Sequence, residues 1–71
     1  MHVKFRKGQV IVNTKLKAAR EKMSLTQVQV AEKAQITVRS YQYIESGERI
    51  PNARTAILIA KALNSTVEKL F

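Results

Sequence analysis

At 71 residues, 45% of them hydrophobic, the chain has room for one small domain with a thin core and is too apolar to stay disordered. It contains no Cys, which excludes disulfides and thiolate metal sites and fits a reducing compartment; with no run long enough to span a membrane and no signal-peptide pattern, a soluble cytoplasmic protein is the expectation. Thirteen Lys and Arg stand against five Glu and no Asp, a formal net charge of +8 that suits a polyanion, nucleic acid ahead of an anionic membrane.

The opening segment, residues 1–12, "MHVKFRKGQVIV", carries His2, Lys4, Arg6 and Lys7, with Val3, Val10, Ile11 and Val12 as its β-branched positions. Two short apolar alternations flank "RKGQ", and Gly8 is free to take a positive φ, so the segment reads either as a β-hairpin or strand, or as a basic arm. Residues 13–71 read as one helical domain. In "NTKLKAAREKM", Leu16, Ala19, Arg20 and Met23 share one face behind Asn13 or Thr14 as the N-cap. "LTQVQVAEKAQ" begins with a capping box of Thr26 and Gln29, and its inner face is Val30, Ala31 and Ala34. A third helix, "ITVRSYQYIES", takes Thr37 as its N-cap and should stop at Gly47 in the left-handed conformation. Pro51 and Asn52 mark the start of "ARTAILIAKAL", which ends at Asn64, and a second capping box, Ser65 with Glu68, opens the last helix. The sum is an all-α domain of short helices with tight joints.

The second and third helices with their short turn form a helix-turn-helix arrangement, a weak signal by spacing alone. The third helix says more. Tyr41 and Tyr43 are two positions apart, roughly 200° of rotation, so their rings point in opposite directions. With Tyr41 at the centre of the buried face, Thr37, Ile44 and Glu45 fall within roughly 40–60° of it. Arg39, Gln42, Tyr43 and Ser46 fall on the other side, without the Lys or Glu that usually fills a solvated surface. Tyr41 is therefore the core tyrosine, and Tyr43 points outward beside a guanidinium and an amide, groups able to read base edges. Glu45 lies inward and needs a cation; Arg20, on the apolar face of the first helix, has the mirror-image need. The economical answer is a buried or half-buried pair, structural and not catalytic.

Residues 16–71 resemble the lambda-repressor/Cro-like helix-turn-helix family, also called the XRE family. The resemblance rests on Arg20, "LTQ" at 25–27, Ala31, "IT" at 36–37, "IESG" at 44–47, Arg49, Pro51 and "IAKALN" at 59–64. It implies a five-helix bundle whose third helix enters the DNA major groove, usually as a dimer on a palindromic site. It further implies that Val38, Arg39, Gln42 and Tyr43 fall where the family touches bases. Gln27, Thr37, Ser40, Arg49 and the backbone near Asn52 fall at phosphate-backbone positions, Gln27 also where a glutamine of the second helix supports the recognition helix, and Arg20 with Glu45 on the family's buried pair. The chain departs from the pattern at Gln35, where the family favours Gly, and at Tyr41, which replaces a small aliphatic and either sets the helix further out or is held by its phenol. Leu58 stands where a charged residue is frequent. With Thr55 and Ala62 it makes a weakly apolar outer stripe, covered either by residues 1–12 through Val3, Phe5 or Ile11, or by a dimer seam with Val67, Leu70 and Phe71. The N-terminal dozen is additional to the common core.

An enzyme is not expected: His2 is the single histidine, Cys and Asp are absent, and no paired carboxylates face one cleft. No cofactor or metal is expected either. The reading is a sequence-specific transcriptional regulator, with repression as the expected mode, binding a palindromic operator in double-stranded DNA as a homodimer. The alternative is an antitoxin-like module that uses the same fold to hold a protein partner. A membrane role for residues 1–12 finds no support in a sustained amphipathic pattern.

Overall fold

The computed structural model of the protein describes residues 13–71, so the hairpin or arm expected of residues 1–12 lies outside the described residues. Five helices succeed one another: α1 (Thr14–Lys22), α2 (Gln27–Lys33), α3 (Val38–Glu45), α4 (Ala53–Ala62) and α5 (Val67–Leu70). Each starts at a short polar side chain that accepts a hydrogen bond from an amide three residues on: Asn13, Thr26, Thr37, Asn52 and Thr66. The capping box of α2 closes both ways, Thr26 Oγ1 accepting from the Gln29 amide at 3.1 Å and Gln29 Oε1 from the Thr26 amide at 2.8 Å. The start of α5 corrects the expected box of Ser65 and Glu68. The cap is Thr66, which accepts from the Lys69 amide at 3.2 Å, because Ser65 is still engaged in ending α4.

The helix ends share one device. After each of α1 to α4 a residue takes a positive φ: Ser24 (58°), Gln35 (63°), Gly47 (87°) and Asn64 (53°). The amide beyond it then reaches back to the last full turn: Leu25 to the Arg20 carbonyl (3.1 Å), Ile36 to Ala31 (3.0 Å), Glu48 to Tyr43 (2.9 Å) and Ser65 to Ala60 (2.8 Å). These are Schellman closures. Only Gly47 and Asn64 carry the residue types that favour the left-handed region. At Ser24 and Gln35 the neighbouring side chain compensates, since Leu25 and Ile36 pack against the core.

That core takes one fully buried large side chain from each helix: Leu16, Val30, Tyr41, Ile59 and Leu70. Burying each aliphatic one is worth about 1.5–3 kcal/mol relative to leaving it in water. Asn13 ties the ends of the bundle together. Its amide donates to the Glu45 carbonyl at 3.1 Å and its Nδ2 to the Leu70 carbonyl at 2.8 Å, so α1, α3 and α5 meet at one residue.

Three expectations about the outer surface change. Leu70, expected on a dimer seam, is buried in the core and reaches the surface only at the floor of a groove beside Phe71. Leu58 and Val67 are half-buried against the core, and of the four seam residues only Phe71 is exposed. The outward apolar residue of α4 is Ile57: the helix is anchored on Ile59, which leaves Leu58 on the flank and turns Ile57 roughly 200° away. Met23, placed on the inner face of α1, is instead its exposed C-cap.

Candidate nucleic-acid interface

The turn between α2 and α3 sets the site. Gln35 holds the left-handed corner at φ 63°, where a side chain costs about 1–2 kcal/mol. Ile36 then turns inward, and Thr37 caps α3 through the Ser40 amide at 3.1 Å while donating to Ser40 Oγ at 3.0 Å.

On the inner face Tyr41 is fully buried and Glu45 is 4% exposed. Arg20 grips Glu45 in a fork, Nε to Oε2 at 2.7 Å and Nη2 to Oε1 at 3.2 Å, and gives Nη1 to the Leu25 carbonyl at 3.0 Å. Tyr41 Oη donates to Oε2 at 2.9 Å, and Gln27 Nε2 to Oε1 at 2.7 Å. The expected pair therefore forms, and the phenol of Tyr41 is held by a hydrogen bond inside the bundle. Burial pushes the Glu45 carboxyl up, but donors from Arg20, Gln27 and Tyr41 and the Arg20 charge outweigh it and hold it below the usual carboxylate range. Burial, then the hydrogen bond to Glu45 and its charge, push Tyr41 well above the usual phenol range, so it stays neutral. The hydrogen bond to Glu45 raises Arg20 further.

The network does not stop at the core. Gln27 Oε1 accepts from Gln42 Nε2 at 3.2 Å, so the buried carboxylate orients Gln27, and Gln27 orients an exposed amide on the outer face of α3. Arg39 and Gln42 are exposed there, with Val38 at the edge. Tyr43 points to the same side but is half-buried. Arg39 Nη1 donates to Tyr43 Oη at 3.2 Å; the Arg39 guanidinium carbon lies 6.0 Å from the ring centroid and that of Arg49 lies 5.3 Å from it. Ser40, Arg49 and Asn52 line one cleft of about 140 Å³ between α3 and the start of α4. Asn52 is engaged at both acceptors in starting α4, its Oδ1 accepting from the Thr55 amide at 2.8 Å and its carbonyl from the Ala56 amide at 2.9 Å.

The outer face holds no ion pair. All five Glu lie within residues 13–71, and among the described residues Arg20–Glu45 is the single salt bridge. Arg39 and Arg49 therefore face no carboxylate at salt-bridge distance. No group of His, Cys, Asp or Glu among the described residues could hold a metal ion, and no helix there is long and apolar enough to cross a membrane.

Sequence reasoning brings Arg39, Gln42 and Tyr43 to one face but misses two connections. The Gln27 bridge from Glu45 to Gln42 has no local signature, because it joins residues fifteen and eighteen positions apart. The Arg39–Tyr43 contact is available as an i, i+4 spacing. Arg49 reaches the same ring from a loop, where periodicity is silent.

Comparison with known proteins agrees with this geometry. Residues 16–70 match the family model described as Helix-turn-helix, HTH_3. No curated protein sequence matches the chain. Among solved structures it is similar to the restriction-modification controller protein C.AhdI from Aeromonas hydrophila, with a TM-score of 0.78, 22% identity, and 83% of this chain and 89% of that one covered. The DNA-binding domain of the P22 C2 repressor is similar at TM-score 0.78 and 20% identity, over 92% of this chain and 84% of that one. The competence regulator ComR from Streptococcus vestibularis is 29% identical at TM-score 0.73, over 82% of this chain but 20% of that one. The first two likenesses bear on the fold, which is the five-helix lambda-repressor-like bundle.

Proposed function

As the chain belongs to the helix-turn-helix, lambda-repressor-like family of DNA-binding transcriptional regulators, which are not enzymes, we propose that it binds a palindromic operator as a homodimer and represses from it. The observation that carries this reading is the outer face of α3, where Arg39 and Gln42 stand exposed with no carboxylate beside them. Arg39 makes a bidentate contact to guanine, Gln42 a contact to adenine, and Val38 lies against a thymine methyl or the sugar edge, with Tyr43 beside Arg39 on the same base-reading face. Gln27, Thr37, Ser40, Arg49 and Asn52 hold the phosphate backbone and supply the salt-dependent part of the affinity. The cleft shared by Ser40, Arg49 and Asn52 supports that grouping. Two copies place their α3 helices about 34 Å apart, one helical turn of DNA. Phe71 and Ile50, which is 90% exposed, border a common groove of about 450 Å³ and are the apolar surface for the seam.

The test is selection from random duplex DNA by fluorescence anisotropy, at two salt concentrations and with excess nonspecific competitor. One palindromic motif bound by two chains is the expected outcome. Binding that vanishes with competitor and salt, with no motif, would leave only the attraction of a +8 chain for a polyanion and would redirect attention to a protein partner on the same face.

A further inference from the structure

Tyr43 occupies an unusual position on the outer face. Its phenol oxygen accepts from Arg39 at 3.2 Å, and both Arg39 and Arg49 lie within cation–π reach of its ring, at 6.0 and 5.3 Å. Its backbone is equally engaged: the Tyr43 carbonyl accepts from the Glu48 amide at 2.9 Å, the Arg49 amide at 3.1 Å and Ser46 Oγ at 3.1 Å. One residue thus fixes where the loop carrying Arg49 leaves α3 and where the Arg49 guanidinium comes to rest. Two like charges are gathered with no carboxylate between them, and the electron-rich face of the ring is the group that offsets their repulsion. Long arginine side chains lose much rotamer freedom when a ligand immobilises them, and holding them beforehand reduces that loss.

We propose that Tyr43 is a positioning residue for DNA recognition, presetting the base-reading guanidinium of Arg39 and the backbone-contacting guanidinium of Arg49 on one ring so that the two act together. The proposal rests on the reading that α3 docks on DNA. It gives Tyr43 a different task from the outward tyrosine of a base-reading face: its hydroxyl is already engaged, and its effect on DNA passes through the two arginines. Base preference and backbone affinity, which separate residues usually supply independently, become coupled in this chain.

The experiment is a set of mutant cycles on the duplex motif selected by the unaltered protein, reading Kd, salt slope and discrimination at the base pair that Arg39→Ala desensitises. Tyr43→Leu should weaken binding about tenfold, the order expected when two arginine side chains must be immobilised on binding instead of beforehand. The same change in an Arg39→Ala, Arg49→Ala background should cost no more than about twofold, because little is left to hold. Tyr43→Phe keeps the ring but not the acceptor, so discrimination at the Arg39 base pair should fall while the salt slope stays unchanged. An equal loss from Tyr43→Leu in both backgrounds would mean that the ring touches DNA itself, and would overturn the positioning role, as would no loss in either. Tyr43 lies outside the core, and a melting curve of each variant checks that the fold is kept. If the unaltered protein selects no motif, the DNA reading fails and the recognition role fails with it. NMR of the free protein then separates the two failures: ring-current shifts at the Arg39 and Arg49 side chains that disappear in Tyr43→Leu would place the fault in the ligand and not in the cluster.

Discussion

The inner and outer faces of α3 use the same vocabulary to opposite ends. Inside, Tyr41 donates its hydroxyl to Glu45, Arg20 answers the carboxylate with a fork, and Gln27 takes the remaining position. Donors and acceptors close on one another there. Outside, Tyr43 accepts from Arg39, Gln42 is steadied by Gln27, and the guanidiniums of Arg39 and Arg49 find no carboxylate. The difference teaches that a count of charges misleads: of the four arginines among the described residues one is neutralised within the bundle, and the cations that matter for a polyanion are those the fold leaves unanswered. It also predicts that the two faces fail differently, the inner one by losing the fold and the outer one by losing the ligand.

The largest effect tests the inner face. Glu45→Ala should lower stability by about 3–5 kcal/mol, because it strands Arg20 and the phenol of Tyr41, and urea unfolding measures it directly. Replacing both partners, Arg20→Met with Glu45→Leu, should recover most of the loss. Such recovery would show that the pair's cost lies in being broken, whereas a double variant as unstable as the single one would mean the network adds net stability. The same groups set the pH dependence. The folded Glu45 carboxyl titrates below its ordinary 4.5, so its contribution is complete above about 4.5 and is lost as the pH falls through the lower folded value. Tyr41 holds its proton above its ordinary 10.0 when folded, so its contribution is complete below about 10 and is lost as the pH rises beyond that. A stability plateau between those limits is expected, and Tyr41→Phe should remove part of the alkaline fall.

The outer face should break without unfolding. Arg39→Ala should cost about 1–3 kcal/mol of binding and relax preference at one base position, while its unfolding free energy stays within about 0.5 kcal/mol of the unaltered protein. Arg49→Ala is the smaller and more uniform change: every duplex should weaken alike, and the salt slope should fall by about one. Uniform loss in both variants would take base reading away from Arg39. A melting temperature that drops with Arg39→Ala would blur the division between the faces.

How much of the fold and the site is legible in the sequence divides along the same line of local against distant causes. Caps at Thr26, Thr37 and Asn52 are readable because the accepting oxygen and its amide are three residues apart, and the two tyrosines separate on a wheel for the same local reason. Glu45 finds Arg20 across twenty-five positions only because each poses a buried-charge problem that the other solves. Leu70 reads as surface because α5 has four residues, too few for a periodicity to show which side is inside. Ser65 looks like the cap of α5 because it begins a plausible box, whereas its amide belongs to the closure of α4. The left-handed turns at Ser24 and Gln35 carry no residue that favours them; Leu25 and Ile36 dock on the core and impose them.

Gln35 gives the smallest effect and the sharpest check on that last point. Its side chain is exposed, with Arg54 Nη2 at 3.4 Å as its hydrogen-bond donor. Gln35→Gly should relieve the left-handed penalty of about 1–2 kcal/mol but also enlarge the freedom of the unfolded chain, which returns about 0.4–1 kcal/mol. A net gain of about 0.5–1 kcal/mol is expected. The same substitution at Asn64 should gain less, since Asn tolerates this region better than Gln. If Gln35→Gly instead destabilised the protein, the contact with Arg54 would be holding the turn, and α4 would help set the angle at which α3 is presented. Arg54→Ala would then reproduce the loss, and it would do so at a residue that lies outside both faces of α3.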